Sequence, residues 1–289
     1  MRVVDAVSWS SKPHNEDAYG FRADGLWVLD GASALGAPST VEGMSGAAWL
    51  SATASAFLAT VSWDGRQLTD VLADLLDHVA EQGRRIGLGK ADPACSDPSC
   101  SDCSERFPTA TLSLARQRDG DLLDLCLLGD SPIVLAEPGG RTRVFLDPQF
   151  AGVEERLLEP VRAGIAAGDD PGAVYRRARA VLLERRRRRN TAGGAWVLSD
   201  VPEAARHAFT CTLRLRGGEE LLAMSDGFAR LVEPFGLVSD HRELLAAVGR
   251  GEAESLLRRL REAERADPDC SRYPRFGVSD DATVIHAVL

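Results

Sequence analysis

Leu26-Trp27-Val28-Leu29-Asp30-Gly31 is the stretch from which the fold can be read. Four apolar residues in a row, without the three-and-four spacing of a helix, predict a strand buried on both faces. Asp-Gly is a turn dipeptide, so the strand ends there and leaves a carboxylate at its rim. The same grammar recurs along the chain. Leu122–Leu128 is followed by Gly129-Asp130-Ser131, and Leu221-Leu222-Ala223-Met224 by Ser225-Asp226-Gly227. In mirror order, Ser279-Asp280-Asp281-Ala282-Thr283 leads into an apolar strand from Val284 to Leu289, and Asn15-Glu16-Asp17 stands near the first strand, residues 2–9.

Carboxylates at strand ends are held by rigid backbone yet can face a cleft. Several converging would repel one another unless cations neutralised them, and hard divalent ions such as Mg²⁺ or Mn²⁺ prefer oxygen ligands of this kind.

Between these motifs the periodicity changes. Residues 43–59 predict a buried helix rich in Ala, Ser and Leu. Leu68, Val71, Leu72, Leu75, Leu76 and Val79 mark an amphipathic helix over 68–86. Residues 87–107 read as a long irregular loop. Strands at 111–115, 122–128, 133–136 and 142–145, parted by turn signals, predict an antiparallel meander. Helices are expected over 153–167 and 173–188, strands over 210–215 and 220–224, and helices again over 240–248 and 252–265. Strands in two groups, each followed by helices, make an α/β layered (α+β) fold.

Composition narrows the function classes. Hydrophobic residues form 44% of the 289-residue chain, enough for a large core, and the net charge of −9 argues against a nucleic-acid partner. No apolar run reaches the roughly 18 residues of a membrane span, and Met1-Arg2-Val3-Val4-Asp5 reads as a strand and not as a signal peptide. The expectation is a cytoplasmic protein with no membrane partner. Of six cysteines, Cys126 and Cys211 lie in strand-like stretches as small core residues. Cys95, Cys100, Cys103 and Cys270 lie in polar loops. Free thiols, a disulfide, and a zinc site completed by Cys270 are all open there.

The motifs, in this order, resemble those of the metal-dependent protein phosphatases (the PPM or type-2C family), and most closely its bacterial, actinobacterial-like members. The matching pieces are Asn15-Glu16-Asp17, Asp30-Gly31, Pro108-Thr109-Ala110-Thr111, Gly129-Asp130-Ser131, Ser225-Asp226-Gly227 and Asp280-Asp281-Ala282-Thr283. The resemblance implies one domain over 1–289, built as two packed antiparallel sheets flanked by helices, with a helical flap insertion at about 147–200. It implies two Mg²⁺ or Mn²⁺ ions, with a third as an option, and hydrolysis of phosphoserine or phosphothreonine in proteins by a metal-activated water. Asp30 would bridge the metals, the Gly31 carbonyl would add a ligand, and Asp226 and Asp280 would complete one shell. Asp130 would join Asp226 at the third site, and Glu16 and Asp17 would hold waters. Asp281, Thr109 and Thr283 read as structural. A small phosphorylated metabolite as substrate, or a catalytically weak phosphoprotein-binding regulator, are the alternatives.

The sequence departs from that family pattern in three places. Lys12 occupies the position of an arginine that grips the substrate phosphate; it keeps the charge and loses the fork. Asp30-Gly31 is followed by Ala32-Ser33-Ala34, with no histidine to act as general acid; His14 is either an acid or a solvent-facing residue. Pro132 follows Gly129-Asp130-Ser131 where relatives often have Arg. The run Arg185-Arg186-Arg187-Arg188-Arg189 is read two ways: as a solvated helix end, or as arginines reading an anionic substrate. Asn190–Trp196 resembles a stretch near the flap of actinobacterial members.

Overall fold

The computed structural model describes residues 1–35, 40–89, 107–119 and 121–289. Two five-stranded sheets form its centre, and every strand pairing is antiparallel. In the first the order is β1 (Arg2–Trp9), β12 (Ala282–Val288), β11 (Glu220–Met224), β8 (Ile133–Ala136), β9 (Thr142–Phe145). In the second it is β10 (Phe209–Arg214), β7 (Leu122–Leu128), β6 (Ala110–Arg118), β3 (Gly25–Gly31), β2 (Ala18–Arg22). A short pair, β4 (Thr40–Val41) and β5 (Met44–Ser45), leads into the first helix.

Strand alternation explains the layers. Leu26 and Val28 of β3 face the first sheet and pack with Ile133, Leu221, Ala223 and Ile285. Their neighbours Trp27 and Leu29 face the other way, against α1 (Gly46–Thr60) and α2 (Leu68–Arg85). On the far side Leu222, Met224 and Val284 pack against α6 (His241–Gly249) and α7 (Ala253–Arg265). The central strands are buried on both faces, hence their unbroken apolar runs. Between β9 and β10 the chain makes a helical pair, α3 (Val153–Ala166) and α4 (Pro171–Arg187), with a small core of its own around Leu158, Val161, Val174 and Ala178.

Two readings of the sequence need correction. The expected meander is divided: β6 and β7 belong to the second sheet, β8 and β9 to the first. The chain crosses between sheets at Gly129-Asp130-Ser131, so a turn signal there marks a change of layer. The strands read at 210–215 and 220–224 divide in the same way. β2 is a strand where the sequence predicts none. Its central Gly20 lies under the Trp27 ring, where a β-carbon would come within 2.3 Å of the ring, while Tyr19 and Phe21 point outward. That pattern hides the usual apolar alternation. Cys126 is buried among residues of the helix-facing core and Cys211 is half-buried beside the inter-sheet core. Cys270 is a buried free thiol, whereas Cys95, Cys100 and Cys103 lie outside the described residues. Among the described residues no helix is long and apolar enough to cross a membrane.

Candidate active site

The acidic motifs meet at one end of the two sheets because each closes or opens a strand there. Asp30 ends β3 opposite Thr111 of β6. The Gly31 amide donates to the Glu16 carbonyl at 3.1 Å and the Ala32 amide to the Thr109 carbonyl at 2.9 Å. A β-carbon at residue 31 would stand 2.4 Å from the Glu16 carbonyl, so glycine lets the two acidic segments lie together. Asp130 sits at the crossing between sheets, where the Gly129 amide donates to Asp147 at 3.1 Å and the Thr111 and Ser131 hydroxyls meet at 2.6 Å. Ser225 anchors the end of β11 to β12: its amide donates to the Thr283 carbonyl at 3.0 Å and its hydroxyl accepts from the Thr283 amide at 2.9 Å. Asp226 then begins the single turn α5 (Asp226–Ala229), and its amide faces Asp30 Oδ2 at 3.4 Å, which ties the two sheets together. Gly227 is needed because a β-carbon would fall 1.9 Å from the Asp281 carbonyl.

The cations of this chain are unevenly shared. Lys12 Nζ donates to Glu16 Oε2 at 2.7 Å and Ser33 Oγ at 2.7 Å, and stands 3.3 Å from Asp281 and 3.4 Å from Asp280. Burial works against its charge, but Asp280, Glu16 and Asp281 outweigh that and hold it protonated above the usual lysine range. Arg230 Nη2 donates to the other oxygen of Asp280 at 2.9 Å, and Arg230 lies 3.7 Å from buried Glu264. Asp281 is buried and accepts from the Glu16 amide at 2.7 Å and the Ser10 hydroxyl at 2.5 Å. Ser33 also donates to Glu16, as does Ser45 at 2.7 Å. His14 is exposed.

Asp30, Asp226 and Asp17 are placed differently. Burial, then the charge of Asp226, Asp17, Asp280 and Asp130, pushes Asp30 well above the carboxylate range. Burial and the neighbouring acids Asp280 and Asp130 do the same to Asp226, with Arg230 opposing. Asp17 is pushed up to about 7, chiefly by burial. The Ser225 and Thr283 hydroxyls lie close enough to soften that charge, yet neither Asp17 oxygen accepts a well-formed hydrogen bond within the described structure. The Ser225 hydroxyl accepts from the Thr283 amide, and the Thr283 hydroxyl meets that of Ser8 at 2.7 Å. Burial also raises Asp130, opposed by Arg189 and Arg186.

Three of these partners were not read from sequence. Arg230 follows Asp226 by four residues, a spacing that places both on one helical face and was available as a signal. Glu154 opens α3, and burial beside the rim raises its carboxyl, with Asp130 and Asp280 adding to it and Arg230 opposing. Asp147, which orients the Gly129 amide, carries no local motif at all.

The donor set fits divalent metal. It is all oxygen and rich in carboxylates, and two buried Asp17 oxygens lack partners among the described residues. Its members mutually raise their affinity for protons, a cost that a cation relieves. The described residues form no ready-closed shell of three or more acidic, His or Cys side chains; the acids are donors gathered at one rim. Asp30, Asp226, Asp280 and Asp130, with the Gly31 carbonyl, are the groups that would close on an ion.

An antiparallel sandwich flanked by helices is the architecture of a known class. A family profile described as protein phosphatase 2C matches residues 9–157, just over half the chain. The chain belongs to that family. Among solved structures, the serine/threonine phosphatase PstP/Ppp of Mycobacterium tuberculosis is 20% identical, with a TM-score of 0.55 over 100% of this chain and 99% of that one. The catalytic domain of PstP in complex with two manganese ions is 17% identical, with a TM-score of 0.53 and 100% of both chains covered. PppA of Pseudomonas aeruginosa, described as a regulatory component of T6SS, is 16% identical, with a TM-score of 0.53 over 99% and 97%. These likenesses show the fold. No curated protein matches the sequence.

Proposed function

We propose that this protein is a metal-dependent phosphatase that hydrolyses phosphoserine or phosphothreonine monoesters in proteins. The observation that carries the reading is the convergence of Asp30, Asp226, Asp280 and Asp130 in a fold of the protein phosphatase 2C family, with Asp30 and Asp226 strongly raised and Asp17 unpartnered. The presence of manganese in the solved PstP catalytic domain supports the choice of Mg²⁺ or Mn²⁺ as cofactor.

Asp30 and the Gly31 carbonyl, with Asp226 and Asp280, would hold two ions, and Asp130 with Asp226 a third. When bound, such ions supply an acidified water as nucleophile and positive charge against the phosphoryl oxygens. The chain's own residues then have defined tasks. Lys12 draws Glu16, Asp280 and Asp281 together and neutralises their repulsion. Asp281, fixed by the Glu16 amide, holds the Lys12 segment against the start of β12. Arg230 fixes one oxygen of Asp280 and so orients the other. Glu16 and Asp17 orient water near the reacting phosphate. The helical pair α3–α4, within the expected flap, borders this rim.

A binding-only phosphoprotein regulator is the second reading. One observation favours it: Asp280 already has two resident cations, Lys12 and Arg230. Hydrolysis of p-nitrophenyl phosphate and of a phosphothreonine peptide, each with Mn²⁺, Mg²⁺ or chelator, decides between them. Metal-dependent turnover of the peptide is expected. Full turnover in excess chelator sinks the metal mechanism, and turnover of the small ester alone moves the substrate to phosphorylated metabolites.

A further inference from the structure

We propose that Glu264, on α7 outside the acidic rim, is a positioning residue that sets how strongly Arg230 competes with a metal ion for Asp280. The inference rests on the metal-dependent reading above and adds to it a residue on the far side of Arg230.

Arg230 is buried and faces acids on two sides. Toward the rim, Nη2 donates to Asp280 Oδ2 at 2.9 Å, and Asp226 and Glu154 add their charge. The other oxygen of Asp280 accepts from the Asp281 amide at 3.0 Å and lies 3.4 Å from Lys12. Away from the rim, Nη1 of Arg230 stands 3.7 Å from Glu264 Oε1. Both of those atoms are buried, and neither has a hydrogen-bond partner among the described residues. Opposite charges thus face one another across a gap slightly too wide for a hydrogen bond.

Glu264 is itself held in place and is only 1% exposed. Its Oε2 accepts from Arg261 Nη1 at 2.6 Å, one helical turn earlier, and the Arg261 guanidinium lies over the Trp9 ring at 4.5 Å. Buried Arg275 fixes the end of α7 from the loop before β12: Nη1 donates to Asp267 at 2.6 Å and Nη2 to the Asp267 carbonyl at 2.8 Å. Burial draws the Glu264 carboxyl toward its neutral form, and Arg261, Arg230 and Arg275 draw it back. A buried carboxylate is costly unless it is paired. Arg261 pairs one oxygen, and the second is aimed at Arg230.

A guanidinium is rigid and planar, so a pull on one nitrogen is felt at the other. With Glu264 charged, Arg230 is shared between the rim and α7. With Glu264 neutral, the draw of Asp280, Asp226 and Glu154 on that guanidinium is unopposed from α7. The arginine then acts as a built-in cation where a metal ion binds. Glu264 therefore favours metal at Asp280 by restraining the resident cation, without touching the ion.

The test uses the full chain with Mn²⁺ alone as the probe. Mn²⁺ Kd is read by calorimetry for wild type, Glu264→Gln, Arg230→Gln, the double variant, and Glu262→Gln, which changes an exposed acid on the same helix. Melting in chelator reports the fold. Glu264→Gln is expected to raise the Mn²⁺ Kd about tenfold, the lower end of the range for residues that orient metal ligands. Turnover of p-nitrophenyl phosphate should recover at saturating Mn²⁺. In the Arg230→Gln background the same substitution should change Kd by less than about twofold, since its effect passes through that arginine. Glu262→Gln should also change Kd by less than about twofold. An unchanged Kd in folded Glu264→Gln overturns this role. So does a rise that persists in full in the Arg230→Gln background, which would mark a direct effect of charge or of helix packing, or an equal rise in Glu262→Gln. Should Glu264→Gln fail to fold, Glu264→Asp takes its place. It keeps the charge and shortens the reach, with Kd raised about threefold and the same dependence on Arg230. Wild-type protein that binds Mn²⁺ but hydrolyses no ester removes the phosphatase reading and leaves the Kd comparison standing. Wild-type protein that binds no Mn²⁺ removes both.

Discussion

Asp30 and Asp124 stand toward opposite ends of the same sheet and differ in one respect, the cation. Asp124, on β7, receives Arg116 at 2.7 Å and Arg118 at 2.6 Å, and the Thr212 hydroxyl at 2.7 Å. Burial would raise its pKa, but those hydrogen bonds and charges win and hold it below the usual range. Asp30, on β3, is buried among Asp226, Asp17, Asp280 and Asp130 and is driven the other way. The neighbour strand β6 touches both ends, with Thr111 opposite Asp30 and Arg116 opposite Asp124. The sheet can thus supply its own counter-charge where an acid serves the fold. Opposite Asp30 it sets Thr111 and no basic side chain, and a cation from solution would have a role to fill.

The largest expected effect breaks the comparison at the active end. Asp30→Asn and Asp226→Asn should each lower turnover by about 10²-fold to 10³-fold or more, the scale on which lost electrostatic stabilisation is felt. In chelator the same variants should melt no lower than wild type, because each removes a buried, repelling charge. A near-wild-type rate in either variant removes that residue from the site. Asp124→Asn should do the opposite, lowering stability and leaving kcat close to wild type.

Lys12 lies between these extremes, since it is a resident cation inside the acidic rim. Lys12→Ala is expected to reduce kcat by roughly 10²-fold at most, as a group that orients other groups, and to change KM less than kcat. A KM effect alone would return Lys12 to direct phosphate binding. Metal should also stabilise the fold. At about a hundred times its Kd, Mg²⁺ or Mn²⁺ adds about 2.7 kcal/mol, visible as a raised melting temperature. Asp226→Asn should lose most of that increment, and an increment retained in full would place the ion elsewhere.

How much of this was legible in the sequence follows from what kind of interaction is involved. Asp30, Asp226 and Asp280 were legible because each adjoins an apolar strand and, for two of them, a glycine demanded by backbone contact. Leu26 and Trp27 announced a strand buried on both faces. β2 was not legible, since Gly20 makes room for Trp27 and the aromatic residues beside it face outward. The division of the meander was hidden because a hairpin and a crossing between sheets use the same turn residues. Arg230 and Asp280 meet across fifty residues of sequence, and nothing in either neighbourhood encodes that pairing. The arginine run showed its charge but not its faces, for only the packing of α4 separates half-buried Arg186 and Arg189 from exposed Arg185 and Arg188.

The last expected effect, on stability and not on turnover, sharpens the comparison from the structural end. Asp124→Asn leaves the buried Arg116 without its carboxylate, and breaking such a pair costs about 3 kcal/mol at the lower end of the usual range. The pH dependence follows from the direction of the shift. The folded-state pKa of Asp124 lies below its unfolded value, so its contribution is fully present above the ordinary aspartate pKa of about 3.9. It fades as pH falls through the lowered folded value. The difference in unfolding free energy between wild type and Asp124→Asn should therefore be constant near neutrality and shrink below about pH 4. Denaturant titrations across that window measure it. For Asp30 in chelator the sign reverses: its pKa is raised on folding, so metal-free protein should gain stability as pH falls from that raised value toward the ordinary aspartate pKa of about 3.9. A wild-type difference at Asp124 that grows with acid, or is flat throughout, would mean that the arginine-paired end is no better neutralised than the bare one.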